Sequence, residues 1–289
     1  MNLSNTKVSV IIPAKNERQT IASIIDALKE RIPDVDIVVV NDGSTDDTAA
    51  ISESRKVRVV THPHSLGNGA AVKSGARVAQ GDVLVFMDAD GQHDPADVEK
   101  LVSRLHCGYD MVVGARQKGS QASVARGLGN RLYNRLATYM TNHSIEDLTS
   151  GFRAVRASKF KEFLYLLPNG FSYPTTITMA FFRAGYSVKY EPIHALKREG
   201  KSHVKLLRDG VRFLVIIFKV GTLYSPLKLF GPVSVGLIAS GLAWYGYTFT
   251  VADRFTNMSA LLITGGIITF MMGLLSEQVT ALMYKDNAE

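Results

Sequence analysis

Cysteine is almost missing from this chain: Cys107 is the single one among 289 residues. That excludes a disulfide framework and cysteine-based metal sites, and the lone thiol is expected to be a small buried residue. Charge is missing in a more telling way. Charged residues make up 20% of the chain, yet none occurs from Leu229 to Ala252 or from Phe255 to Ser276. Each run meets the roughly 20-residue length of a bilayer-spanning helix, so a two-helix membrane hairpin is expected, with spans at about 229–251 and 259–283. No secretory leader is expected either, because Met1 to Ile12 runs straight into a strand pattern and a Pro-containing turn. The segment between the spans has little charge, with only Arg254 against Asp253. Lys197, Arg198, Lys201, Lys205, Arg208, Arg212, Lys219 and Lys228 all precede the first span. This asymmetry predicts that both termini and the N-terminal part lie on the cytoplasmic side. The net charge of +7 sits beside the membrane, so anionic lipid is the expected partner and nucleic acid is not.

What is present divides into three parts. Residues 1–200 read as a soluble domain, 201–226 as an amphipathic interfacial segment and 227–289 as the hairpin. Val8–Ile12, Ile37–Val40, Val57–Val60, Val83–Met87 and Met111–Val113 are short apolar runs that read as strands. Thr20–Leu28, with Ile21, Ile24, Ile25 and Leu28 on one face, reads as a helix, and Gly67-Asn68-Gly69-Ala70-Ala71 opens another. Strands alternating with helices predict an α/β fold with a mostly parallel, doubly wound sheet. Between Val204 and Val220, Val204, Leu207, Val211, Leu214 and Phe218 recur at helical spacing opposite Lys205, Arg208, Arg212 and Lys219. This is an interfacial helix or a helix packed on the soluble domain. Small residues in the spans, among them Gly236, Gly241, Gly266 and Gly273, favour close packing within the hairpin or between subunits, and a homo-oligomer is expected.

The chemistry centres on Asp82–Asp94. Asp88 and Asp90 follow an apolar strand, and small Ala89 and Gly91 leave room for a ligand at the strand's carboxyl edge. Two readings stand: a site for Mg²⁺ or Mn²⁺ shared with a diphosphate, or a polar turn in which Asp94-Pro95 starts a helix. Glu17 and Asp42 also follow strands, so one crevice can gather all of these carboxylates.

Val10-Ile-Ile-Pro13-Ala-Lys-Asn-Glu17, Val40-Asn-Asp42-Gly-Ser-Thr-Asp46, Gly67-Asn-Gly69-Ala-Ala-Val-Lys73-Ser-Gly75 and Met87-Asp88-Ala-Asp90-Gly-Gln92-His resemble the family 2 glycosyltransferases with the GT-A fold. Asp147-Leu-Thr-Ser-Gly-Phe-Arg153 is similar to the polyprenyl-phosphate branch, which includes dolichyl-phosphate mannose synthase and the bacteriophage-type glucosyltransferases. The resemblance implies transfer of a hexose from a nucleotide sugar, UDP-linked or GDP-mannose, to a polyprenyl or dolichyl phosphate. It implies that Pro13, Ala14, Glu17, Asp42, Lys73, Asp88 and Ala89 form the nucleotide site, and that Asp88, Asp90 and Gln92 hold Mg²⁺ or Mn²⁺. Asp90, Arg116 and Arg131 would be catalytic, and Arg116, Arg126, Arg131, Lys197 and Arg198 would face the acceptor phosphate. The family's Arg-x-x-Gly-x-Ser-Lys pattern appears here as Lys197-Arg198-Glu199-Gly200-Lys201-Ser202-His203, so either Lys197 or Arg198 can be the phosphate ligand.

An isoprenyl phosphate is already anionic and can attack an anomeric carbon without a general base, whereas a sugar hydroxyl needs one. In-line displacement inverts the anomeric centre, giving a β-linked product from an α-linked donor. Asp147 keeps a hydroxyl acceptor open, since it stands roughly where related hydroxyl-accepting transferases carry a base; alternatively it orients the Thr149-Ser150-Gly151 turn. A non-catalytic nucleotide-sugar-binding scaffold is the remaining alternative. Arg126, Arg131, Arg135 and Arg153 can equally be plain surface charge, but the aromatic and apolar residues interleaved from Arg126 to Arg135 suit a helix beside the membrane better.

Overall fold

The structure is a computed structural model that describes residues 6–32, 34–116, 124–170, 172–194, 218 and 221–285. Lys197, Arg198 and, apart from Phe218, the amphipathic stretch Val204–Val220 lie outside the described residues. The chain divides into two compact units, Met1–Val204 and Lys205–Glu289.

The first unit alternates strands and helices in the order β1 (Val8–Ala14), α1 (Ile21–Arg31), β2 (Asp36–Asn41), α2 (Thr48–Ser54), β3 (Arg58–Thr61), α3 (Asn68–Val78), β4 (Val83–Phe86) and α4 (Ala96–His106). There follow β5 (Met111–Arg116), α5 (Val124–Thr141), β6 (Arg153–Arg156), α6 (Ala157–Lys161), α7 (Tyr173–Arg183) and β7 (Val188–Ile193). Together the strands form one seven-stranded sheet in the order β3-β2-β1-β4-β6-β5-β7. Pairings among β1 to β4 are parallel, β6 runs antiparallel to both β4 and β5, and β5 pairs with β7 in parallel. Val10–Ile12, Val38–Val40 and Leu84–Phe86 have no exposure at all, as expected of parallel strands covered on both faces.

From β1 the chain winds outward through β2 and β3, then returns to place β4 on the other side of β1. Successive connections therefore diverge between the carboxyl ends of β1 and β4, the switch point where open α/β sheets bind ligands. On one face, Ile21, Ile24, Ile25 and Leu28 of α1 and Val98, Leu101, Val102 and Leu105 of α4 pack on Val10, Ile12, Val39, Val85 and Val112. On the other face α3 lies close to the sheet: a Cβ on Gly75 would come within 2.4 Å of Ile11 Cγ2 and 3.1 Å of Val40 Cγ2.

Three sequence expectations change. The strand expected to end at Ile12 continues through Pro13 and Ala14. Strands β6 and β7 were not anticipated, because Arg153-Ala-Val-Arg156 is short and flanked by charge, and Val188–Ile193 carries Lys189, Glu191 and Pro192. Cys107 is exposed rather than buried, since it caps α4 where the chain turns away through Gly108 at φ +103°.

In the second unit, α8 (Pro226–Ala252) and α9 (Asn257–Lys285) are joined by a turn in which Asp253 is left-handed. Pro226–Ala252 and Asn257–Leu282 are long and apolar enough to cross a membrane. The helices touch at their small residues. Ser234 Oγ donates to the Gly266 carbonyl at 2.8 Å, and a Cβ on Gly266 would lie 2.5 Å from Ile238 Cγ1. Close backbone approach is how apolar helices gain contact when lipid competes equally for apolar surface.

Gly75→Ala is expected to overpack the α3–sheet interface and destabilise the first unit by about 1–3 kcal/mol, read as a lowered thermal midpoint in detergent without loss of secondary structure.

Candidate active site

The carboxyl-end loops hold one another in place. Asn16, at φ 58°, accepts the Thr45 N–H on Oδ1 at 2.8 Å, and its own N–H donates to Ser44 Oγ at 3.0 Å. The Glu17 N–H donates to Thr48 Oγ1 at 2.9 Å and the Arg18 N–H to Asp46 Oδ2 at 3.3 Å. The Asn41–Thr48 segment, which reads as a helix start, thus also fixes the loop after β1. A third loop is tied in by Thr20, whose buried hydroxyl donates to the Ala89 carbonyl at 2.6 Å.

Asp42 anchors the rim. Its Oδ1 pairs with His62 Nδ1 at 2.7 Å and accepts the Leu66 N–H at 2.8 Å; its Oδ2 accepts Ser65 Oγ at 2.7 Å and the Gly67 N–H at 3.0 Å. All four usual acceptor positions of a carboxylate are filled. Burial pushes the Asp42 carboxyl up, but the bonds from His62, Leu66, Ser65 and Gly67 outweigh it and bring the pKa down to about 2.

Between these loops lies a cavity of about 480 Å³ at the β1/β4 switch point. Pro13, Ala14, Lys15 and Glu17 line one side, Asp42, Ser65, Asn68 and Ala71 a second, and Asp88, Ala89, Asp90 and Gln92 a third. Thr149, Gly151, Tyr173 and Pro174 close it. Of the nucleotide-side residues expected from sequence, Pro13, Ala14, Glu17, Asp42, Asp88 and Ala89 meet here, together with Asp90 and Gln92. Lys73 does not line the cavity; its ammonium donates to the Leu167 carbonyl at 3.0 Å and to Asn169 Oδ1 at 2.6 Å.

Asp88, Asp90 and Gln92 share one tight turn, with Gly91 at φ +72° and Asp90 Oδ1 accepting the Gln92 N–H at 3.2 Å. Gly151 presses against it, so that a Cβ there would lie 2.9 Å from Asp88 Oδ2. Oxygen donors at the mouth of a polar cavity suit a hard divalent ion that completes its shell with phosphate and water. Among the described residues no group of three or more His, Cys, Asp or Glu could hold a metal ion. Beneath this turn His93 is buried, stacked on Phe152 at 4.8 Å between ring centroids, with Nε2 3.8 Å from Asp88 Oδ2.

On the acceptor side the structure places Arg116 but describes fewer of the expected residues. Arg116 grips Asp147, Nε to Oδ2 at 2.8 Å and Nη2 to Oδ1 at 3.0 Å, and also donates to Thr149 Oγ1 at 2.7 Å. Asp147 is buried and accepts the Thr149 N–H at 3.2 Å as well. Burial raises its pKa, but the Arg116 fork outweighs that and lowers it, so Asp147 is a carboxylate held by Arg116 and by Thr149 of the Thr149–Gly151 turn. Arg131 and Arg135 are exposed on α5. Arg126 belongs to α5, but its side chain, like all of Lys197 and Arg198, is outside what the structure describes. Arg153 is not surface charge: it is 0% exposed. Its guanidinium donates to the Pro174 carbonyl and Thr178 Oγ1, each at 3.0 Å, and to the Ser150 carbonyl.

Sequence reading missed the wall formed by Tyr173 and Pro174. Tyr173 is buried, and its hydroxyl donates to the Gly151 carbonyl at 3.3 Å. Burial, reinforced by the nearby Asp88 charge, raises its pKa and keeps it a neutral donor.

Residues 9–164, over half of the chain, match the family model Glycosyl transferase family 2. The chain belongs to glycosyl transferase family 2. Residues 225–282 of this family 2 glycosyltransferase match the model GtrB C-terminal hairpin, in agreement with the two apolar helices of a membrane protein. Glycosyltransferase AglJ of Haloferax volcanii is 27% identical over 289 residues, covering 95% of this chain and 94% of that protein. Undecaprenyl-phosphate 4-deoxy-4-formamido-L-arabinose transferase of Proteus mirabilis is 25% identical over 295 residues, covering 94% and 88%. Among solved structures, glucosyl-3-phosphoglycerate synthase of Mycobacterium tuberculosis, in complex with Mn²⁺, UDP-glucose and phosphoglyceric acid, superposes with a TM-score of 0.62 at 22% identity. The match covers 75% of this chain and 80% of that one and establishes the GT-A fold.

The Asp42 carboxyl has a lower pKa folded, about 2, than its ordinary 3.8, so its stabilisation is full above about pH 4 and is lost as the pH falls towards about 2. Asp42→Asn is therefore expected to cost about 2 kcal/mol at pH 7, with the gap from wild type shrinking in acid. Denaturation at pH 7 and at about pH 2.5 measures it.

Proposed function

We propose that this family 2 glycosyltransferase transfers a hexose from a nucleotide diphosphate sugar to a polyprenyl phosphate at the membrane surface. UDP-sugars are the favoured donors and GDP-mannose the alternative. The observation that carries the reading is the Asp88–Gln92 turn opening on the β1/β4 cavity in a chain that ends in a membrane hairpin. The name of the Proteus mirabilis relative describes transfer to undecaprenyl phosphate, and the fold relative was solved with Mn²⁺ and UDP-glucose.

In this reading Pro13, Ala14 and Glu17 flank the nucleoside, with Asp42 holding the rim that closes over it. Asp88, Asp90 and Gln92 would hold Mg²⁺ or Mn²⁺, whose positive charge lowers the cost of the departing diphosphate. The acceptor phosphate attacks opposite the leaving group and the anomeric centre inverts, giving a β-linked polyprenyl-phosphate sugar. No proton need be removed from the nucleophile, which agrees with an Asp147 already taken up by Arg116 and Thr149. Arg116 fixes the Thr149–Gly151 wall through that pair; Arg126, Arg131, Lys197 and Arg198 are the proposed phosphate ligands. The basic residues before the first span, against Arg254 alone in the connection, support a cytoplasmic catalytic unit with both termini on that side.

Purified full-length protein with Mn²⁺, a panel of UDP- and GDP-sugars and a short polyprenyl phosphate should yield a glycolipid detectable by mass spectrometry. Chelation should abolish it, and Asp90→Ala should lower turnover by roughly 100-fold or more. Nucleotide release without glycolipid, or synthesis indifferent to chelator, overturns the reading. Asp147→Asn would cost about 10²–10⁴-fold in turnover if the residue were a general base. The expected loss is about tenfold, that of one charge-assisted contact.

A further inference from the structure

The backbone of the glycines at the start of α3 is covered by protein. A Cβ on Gly69 would lie 2.0 Å from the Pro168 carbonyl oxygen and 2.8 Å from that of Gly170. A Cβ on Gly67, itself at φ +103°, would lie 2.4 Å from the Asn169 carbonyl oxygen. No side chain is tolerated at such separations, so what these glycines admit is the 167–170 segment. The Ala70 N–H donates to the Asn169 carbonyl at 3.1 Å, giving one free N–H of the first helical turn a partner.

Lys73 completes the dock from the next turn. Asn68 and Ala71, three apart, face the cavity; Lys73 is two residues beyond Ala71, on a different side of the helix. From there its ammonium reaches the Leu167 carbonyl at 3.0 Å and Asn169 Oδ1 at 2.6 Å. Three residues after Gly170 begins α7, whose first residues Tyr173 and Pro174 line the cavity, with the Tyr173 hydroxyl against Gly151.

We propose that Lys73 is a positioning residue: with Gly67 and Gly69 it clamps the 167–170 segment onto α3 and so sets where Tyr173 and Pro174 stand. The clamp joins the Ser65–Ala71 side of the cavity to the side that abuts the Asp88 turn, and the consequence for turnover rests on reading that cavity as the transfer site.

Hydrogen exchange on the full-length protein without nucleotide tests the clamp apart from any activity. Lys73→Met should reduce amide protection across 167–176 by roughly tenfold or more, Asn169→Ala should do likewise, and Lys73→Arg should restore most of it. The Lys73→Met/Asn169→Ala pair should be non-additive, because both changes remove the Lys73–Asn169 bond. Unchanged protection in Lys73→Met, an additive pair, or a protection change seen only with UDP-sugar present each overturns the clamp, the last in favour of direct nucleotide contact. If Lys73→Met does not fold, Asn169→Ala and Lys73→Arg carry the same comparison. With saturating UDP-sugar and polyprenyl phosphate, turnover should fall in the same order as protection; turnover that ignores lost protection overturns the link to the wall. A wild-type protein that makes no glycolipid refutes the proposed function and leaves the exchange result standing.

Discussion

Everything in the catalytic unit depends on β1 and β4 lying side by side in parallel while the chain leaves them in opposite directions. Neither connection can cross the gap between their carboxyl ends, so a crevice opens there, floored by buried apolar strands and fringed by unpaired loop backbone. Polar side chains fill that fringe because the loops have no ladder to satisfy them. Thr20 bonding to the Ala89 carbonyl is the smallest statement of this constraint, a single hydroxyl bridging the two loops that would otherwise drift apart.

The acidic character of the site is less costly than its composition implies. Asp42 and Asp147 each spend their charge on the protein itself, one on loop N–H groups and His62, the other on the Arg116 fork. Asp42, Asp88 and Asp90 all line the cavity, whereas Asp147 does not. Arg153, without exposure and held by carbonyls and a hydroxyl, places a cation behind this acidic group. A charge buried so far from water is expensive, and its position under the Ser150–Gly151 turn gives that expense a structural purpose.

Much of this was legible in the residues. The apolar runs before Pro13, Asn41 and Asp88 announced the parallel strands and hence the shared edge, and the charge-free stretches announced the hairpin. What could not be read were contacts between segments far apart in the chain. The family resemblance places Lys73 at the nucleotide, whereas its ammonium bonds to Leu167 and Asn169, nearly a hundred residues on. Arg153 sits between apolar neighbours in a short, charge-flanked strand, and nothing local says that α7 will cover it. Cys107 was misjudged for the opposite reason: its type favours burial, but its place at the end of α4 puts it in solvent.

Because β6 runs against its neighbours, the loop that enters it arrives at the same edge from which β1 and β4 depart. The crevice is therefore assembled from loops that leave β1 and β4 and from one that arrives at β6, so its far wall is built by a stretch of chain that takes no part in the register of the parallel half.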